Sequence, residues 1–148
     1  MAWKSQTGGF LYYSLNRAPK NDHPIDHGPL CDWNPASYDD YNGDGCLFYC
    51  GKDGPVTTIR FENLRDGIED YEVCWLLAQR IEQAERNPAW TAAHRRALAR
   101  ARQALRIPDN LVRNFSDYTL DPDRLQAYRR ILYDAVESLP PLKPEDDH

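Results

Sequence analysis

The apolar positions follow two regimes along the chain. From Gly9 to Leu15 the order Gly-Phe-Leu-Tyr-Tyr-Ser-Leu is almost continuously apolar or aromatic. A run without polar alternation predicts a short strand covered on both faces. Cys46 to Cys50 (Cys-Leu-Phe-Tyr-Cys), bounded by Gly45 and Gly51, predicts a second short strand. Residues 17–45 hold four prolines and three glycines with many Asp and Asn, and no periodicity survives there. They read as a long loop, which is uncommon in a compact domain and often functional.

Beyond residue 56 the period changes to that of helices. Seven of the eight glycines lie at or before Gly54. A first helix is expected from a cap at Thr57 or Thr58 to about residue 86. Phe61, Leu64, Ile68, Tyr71, Trp75 and Ala78 are spaced by three and four, which puts them on one face. Asn87-Pro88 predicts the cap and first position of a second helix running to about Arg106. Asp121-Pro122 repeats that signal for a third, whose apolar face is Leu125, Tyr128, Leu132, Ala135 and Leu139. The proline-rich, acidic tail 140–148 is expected to fray.

This inventory does not close a sheet. A strand apolar on both faces needs neighbours on both edges, and a lone pair of strands is marginal in water. The sheet that would receive Gly9–Leu15 is therefore expected outside this sequence. The 148 residues are enough for one domain that would bury roughly 70% of its unfolded surface. The net charge of −5 argues against a nucleic-acid partner, because phosphate binding needs a basic surface. No run of about 18 apolar residues predicts a membrane span. Met1 to Phe10 lacks the basic-then-apolar order of a signal peptide. Cys31, Cys46, Cys50 and Cys74 are too few for a disulfide scaffold and read as buried or half-buried thiols.

Several residue clusters invite a chemical reading. Asp39-Asp40, Glu69-Asp70 and Asp146-Asp147 are paired carboxylates, groups that can serve as general acid and base. The last pair sits in the tail, and Glu69-Asp70 sits mid-helix, where adjacent side chains diverge by about 100°. Glu62, Arg65 and Glu69 at spacings of three and four read as an ion-pair ladder. Asp40, Asn42, Asp44 and Gly45 match the opening of a calcium loop, but the twelfth position is Gly51 rather than a carboxylate. A turn entering a strand explains the same residues. His23, His27 and Cys31, with Cys46 and Cys50, are zinc-type ligands. Pro24, Gly28 and Pro29 exclude a helix presenting both histidines, and sulfurs at 46 and 50 on one strand would lie about 13 Å apart.

The strings Asn42–Gly51 (Asn-Gly-Asp-Gly-Cys-Leu-Phe-Tyr-Cys-Gly) and Ile59–Glu72 (Ile-Arg-Phe-Glu-Asn-Leu-Arg-Asp-Gly-Ile-Glu-Asp-Tyr-Glu), preceded by Gly9–Asn16, carry a resemblance. They resemble the C-terminal part of the glycoside hydrolase family 123 catalytic domain, well over residues 1–86 and loosely to about residue 139. The resemblance implies an α/β fold: the C-terminal portion of a (β/α)8 TIM barrel, mostly helical here, with two short strands. In it, Gly9–Leu15 is the last barrel strand and the helix from Thr57 the last barrel helix. It implies an N-acetylhexosaminide substrate whose own acetamido group attacks the anomeric carbon, oriented by an Asp-Glu pair for which this chain has no match. It implies no cofactor.

Loops after barrel strands build the active site. Tyr12, Tyr13, Trp33, Tyr38 and Tyr41 are then candidates for stacking on sugar rings. The bets for sugar contact are Tyr13, Asn16, Trp33 and Tyr12: Tyr13 stands where the family carries a tryptophan, and Asn16 ends the strand. Tyr12, Ser14 and Asn16 share one strand face and Leu11, Tyr13 and Leu15 the other, and either set could point inward. The expected organisation is last strand, loop and last helix over 1–86, a helical extension over 87–139 and a tail over 140–148. A glycan is the expected partner in the intact protein. The rival expectation is a stand-alone helical interaction module.

On either reading the apolar run needs cover, so the isolated chain is expected to melt at or below about 60 °C or to self-associate. A thermal melt paired with sedimentation mass checks this; a sharp monomeric transition well above ~60 °C would contradict it.

Overall fold

The computed structural model describes residues 1–12, 15, 47–51, 53–86 and 91–141. The chain falls into two compact units, Gly8–Ile68 and Met1–Thr7 with Glu69–His148.

In the first unit two strands, β1 (Phe48–Gly51) and β2 (Gly54–Thr57), form an antiparallel hairpin with Phe48 opposite Thr57 and Gly51 opposite Gly54. Gly54 has φ +145°, a backbone conformation that L side chains rarely adopt, which suits glycine at the end of so tight a turn. β1 starts two residues later than the expected strand and ends one residue later, whereas β2, with Pro55 inside it, carried no apolar signal.

The described residues of the 9–15 run do not form the expected strand. Residues 9–12 and 15 have no strand pairing, and Phe10 and Leu11 are 70% and 90% exposed. An apolar run encodes a demand for burial but supplies no hydrogen-bonding neighbour of its own. What the segment does have is the Leu15 carbonyl, which accepts from the Leu47 and Phe48 amides at 2.7 and 2.9 Å.

The hairpin runs into a long helix, α1 (Ile59–Glu85), through Thr58. The buried Thr58 hydroxyl donates to the Leu47 carbonyl at 2.8 Å and accepts from the Phe61 amide at 3.3 Å. It therefore caps the helix, as one of the two expected candidates, and ties it to the strand entry. Phe61 packs on Phe48, with ring centroids 4.6 Å apart.

In the second unit α1 is joined by α2 (Ala92–Ala104) and α3 (Pro122–Glu137). Their shared core is Cys74, Leu77 and Ile81 from α1, Ala97, Ala101 and Ala104 from α2, and Leu132, Ala135 and Leu139 in and just after α3. The buried stripe of α1 is thus Cys74, Leu77, Ile81 and Ala84, not the predicted one. Of the predicted face, Phe61, Leu64, Tyr71 and Ala78 are half-buried, while Ile68 and Trp75 are each 52% exposed. Tyr71 packs edge-on against Trp3, with ring centroids 5.4 Å apart. Choosing a stripe by residue size overlooked Cys and Ala, which suit a face where helices come close.

α2 starts later than expected. Its cap is Thr91, whose hydroxyl accepts from the His94 amide at 3.4 Å while His94 Nδ1 accepts from the Thr91 amide at 3.3 Å. Asn87 and Pro88, the predicted start, lie outside the described residues. α3 begins as expected, with Pro122 in its first turn and the Asp121 carboxylate accepting from the Asp123 amide at 3.0 Å. Its predicted face is buried at Leu132, Ala135 and Leu139, half-buried at Tyr128, and opens at Leu125.

Leu77 has no exposed surface, so Leu77→Ala leaves a cavity and is expected to lower stability by about 2–5 kcal/mol. Denaturant titration with unchanged m-value checks this; a loss below ~1 kcal/mol would contradict the packing described.

Candidate functional site

Among the residues expected to meet a sugar, Tyr12 lies in the described part. It is half-buried, and its ring stacks on Phe10 with centroids 6.2 Å apart and planes 9° from parallel. The segment that carries it is anchored at Leu15 to the start of β1, and β1 is anchored through Thr58 to the start of α1. Backbone and hydroxyl bonds thus link the aromatic run to the head of the helix. Tyr13, Asn16 and Trp33 lie outside the described residues. So do Asp39-Asp40 and Asp146-Asp147, the calcium-like residues 40–45, and the zinc-type ligands His23, His27, Cys31 and Cys46. Among the described residues no group of three His, Cys, Asp or Glu could hold a metal ion, and no helix is long and apolar enough to cross a membrane.

The one described carboxylate pair is structural in its geometry. Asp70 takes a forked contact from Arg129 of α3, with its two oxygens 2.7 and 2.8 Å from the guanidinium nitrogens. Both side chains are largely shielded, at 17% and 30% exposure, so this bidentate bond clamps α1 to α3. Arg65 pairs with Glu62 at 2.6 Å and Asp66 at 3.4 Å, the first of these being the expected i, i+3 step of the ladder.

Buried Cys74 and half-buried Tyr128 stand near this clamp, and neither is poised for chemistry. Burial pushes the Cys74 thiol up to about 11, and the nearby Asp70 charge adds to the shift. The thiolate needed for nucleophilic attack is therefore scarce at neutral pH. Burial and the Cys74 charge also raise Tyr128, whose hydroxyl donates to the Ala104 carbonyl at 2.5 Å.

Several contributors had no sequence signal. Arg129 lies 59 residues from Asp70, a distance no periodicity bridges. Arg80 donates to the Val136 and Leu139 carbonyls at 2.6 and 3.3 Å, satisfying the C-terminal end of α3 from another helix. An open groove of about 560 Å3 lies along α2 and α3, lined by Arg100, Arg106, Tyr128, Ile131 and Asp134 among others.

Residues 1–77 match the family model described as "Glycoside hydrolase 123, catalytic domain". The match covers the aromatic run, the hairpin and α1 as far as Leu77. No curated protein and no solved structure matches the chain.

The clamp and the thiol each generate a test. Asp70→Ala leaves a largely shielded arginine without its fork and is expected to cost about 1–2 kcal/mol, between the exposed and the buried cases. A double-mutant cycle with Arg129→Ala should show a coupling above ~0.5 kcal/mol, and additive effects would count against the clamp. For Cys74 the folded chain holds the proton more tightly than the unfolded one. Its contribution is therefore present below the ordinary thiol value of 9.0 and lost as pH rises toward about 11. Melts taken across that window should show a falling Tm, with a shallower fall in Cys74→Ala.

Proposed function

We propose, from the premise that this chain belongs to the glycoside hydrolase 123 catalytic-domain family, that it serves in hydrolysis of N-acetylhexosaminide-type glycans and forms one wall of the sugar site. The observation that carries this reading is the family match over residues 1–77, more than half of the chain's 148 residues. The surface of that matched stretch supports it. Phe10, Leu11, Ile59, Ile68 and Trp75 expose between 52% and 90% of their surface, a pattern suited to residues that meet further barrel elements.

In this reading the chain supplies the C-terminal portion of a (β/α)8 barrel, and the catalytic Asp-Glu pair comes from other strands. The sugar's acetamido oxygen attacks the anomeric carbon while the acid of the pair protonates the leaving oxygen. This chain's residues bind and orient. Tyr13 and Trp33 are the aromatic side chains suited to the apolar C–H face of the ring, Asn16 has an amide suited to a hydroxyl, and Tyr12 is a further aromatic candidate. Asp70, held in its fork by Arg129, has no part in the chemistry.

A second reading is favoured by one observation. The buried core of α1, α2 and α3 is built largely from residues beyond the matched stretch. Residues 69–139 therefore suit a helical interaction module, either alone or appended to the barrel.

The test is enzymatic. In the complete protein, Tyr13→Ala and Asn16→Ala are expected to lower kcat/KM on an N-acetylgalactosaminide by at least about tenfold, or ~1.4 kcal/mol. The 148-residue chain alone is expected to be inactive. Retention of kcat/KM within about threefold in both variants would remove these residues from the site. Hydrolysis by the chain alone would overturn the shared-site reading.

A further inference from the structure

We propose that the groove along α2 and α3 binds an acidic oligosaccharide, with Arg100 and Arg106 taking its carboxylates and Tyr128 and Ile131 its apolar C–H faces. Two rows of side chains line it, Arg100, Gln103 and Arg106 from the α2 side and Tyr128, Ile131 and Asp134 from α3. Within each row the residues stand three apart, so they present their groups on one face. The volume of about 560 Å3 falls within the roughly 300–1,000 Å3 of small-molecule sites. Ile131 keeps 53% of its surface exposed there, and the Tyr128 hydroxyl donates to the Ala104 carbonyl at 2.5 Å, which fixes its ring at the seam of the two helices. Among the described residues Arg100, Arg106 and Asp134 make no side-chain ion pair, with each other or with a neighbour, although they line the same opening. Arg102 on the same helix is by contrast paired with Glu85 at 2.6 Å.

The mixture of groups selects the ligand class. A guanidinium takes a carboxylate through two parallel hydrogen bonds, so the two arginines call for negative charge. An inorganic anion would leave the apolar lining unused, and an anionic amphiphile or a nucleic acid would meet repulsion from Asp134. A sugar makes use of that carboxylate, since its hydroxyls donate to it and to the Gln103 amide oxygen. Its C–H faces are apolar and suit Tyr128 and Ile131. The chain's net charge of −5 opposes a long polyanion, whereas two arginines suffice for a short chain with an acid on alternate sugars. The choice of a glycan rests on the proposed function above, and the call for negative charge rests on the groove alone.

The experiment titrates the full 148-residue chain, followed by calorimetry and by the Ile131 methyl signal. The probe is an unsulfated chondroitin hexasaccharide, in which uronates alternate with N-acetylgalactosamine, against its carboxyl-reduced form, which has the same backbone without the charge. The acidic probe is expected to bind saturably at millimolar concentration or below and to shift the Ile131 signal, with the reduced form at least about tenfold weaker. Arg100→Gln/Arg106→Gln should weaken the acidic probe by at least about tenfold and leave the reduced form unchanged. Ile131→Ser should weaken both. All three residues are exposed, so the variants are expected to melt like the parent, which checks that the fold is kept. Binding is read without hydrolysis, so a failed N-acetylgalactosaminide assay in the complete protein and a failed titration here are separate results. The proposal is overturned by any of four outcomes: no saturable binding, equal affinity for the reduced form, unchanged affinity in the arginine variant, or equally tight binding of a thymidine hexanucleotide, which would assign the groove to anions at large.

Discussion

The packing of the three helices depends on α2 having no large buried side chain. Its inward positions are Ala97, Ala101 and Ala104, and against this flat seam stand Leu77 and Ile81 from α1 and Leu132, Ala135 and Leu139 from the α3 side. Small residues let backbones approach, so each larger side chain fills a space that only a close crossing creates. Polar contacts fasten the result at its edges. Asp70 and Arg129 join α1 to α3 partway along, Arg80 takes the carbonyls at the C-terminal end of α3, and Tyr128 reaches the end of α2. Each satisfies a group that packing would otherwise leave without a partner.

The legible parts of the fold were those with local chemistry. Thr58 before a run of three-four spacing, and Asp121-Pro122 before another, mark helix starts because the cap and the proline act within one turn. α2 misled because Asn87-Pro88 is the stronger local pattern, whereas the working cap, Thr91, uses a histidine at the third position where Glu or Gln is usual. β2 was illegible because Gly-Pro-Val-Thr has a proline and one large apolar residue; its partner, not its composition, makes it a strand. The Gly9–Leu15 run was read by its appetite for burial, and the residues that would satisfy it are not among those described. On the family the residues spoke more clearly. The strings Asn42–Gly51 and Ile59–Glu72 fall within the matched stretch, since side chains at fixed offsets around a hairpin and helix head are a longer signature than any single cap.

Of the candidate site, the sequence yielded the aromatic run and α1 with its cap, and the structure added how they are joined. The polar side chains that proved structural, Asp70 above all, could not be sorted from catalytic ones by spacing. A carboxylate on a helix looks the same whether its partner is a substrate or an arginine 59 positions away. Geometry separates the two, because a forked pair spends both carboxylate oxygens on one guanidinium.

The hydroxyl of Thr58 bonds backward to Leu47 and forward to Phe61, so one atom ends the hairpin and begins the helix. The junction consequently has no slack. One inserted residue between 57 and 59 would turn α1 by about 100° and advance it by about 1.5 Å. Phe61 would swing off Phe48. Length at this joint is therefore under constraint alongside the identity of Thr58, because the same hydroxyl has to meet both the strand entry and the first turn.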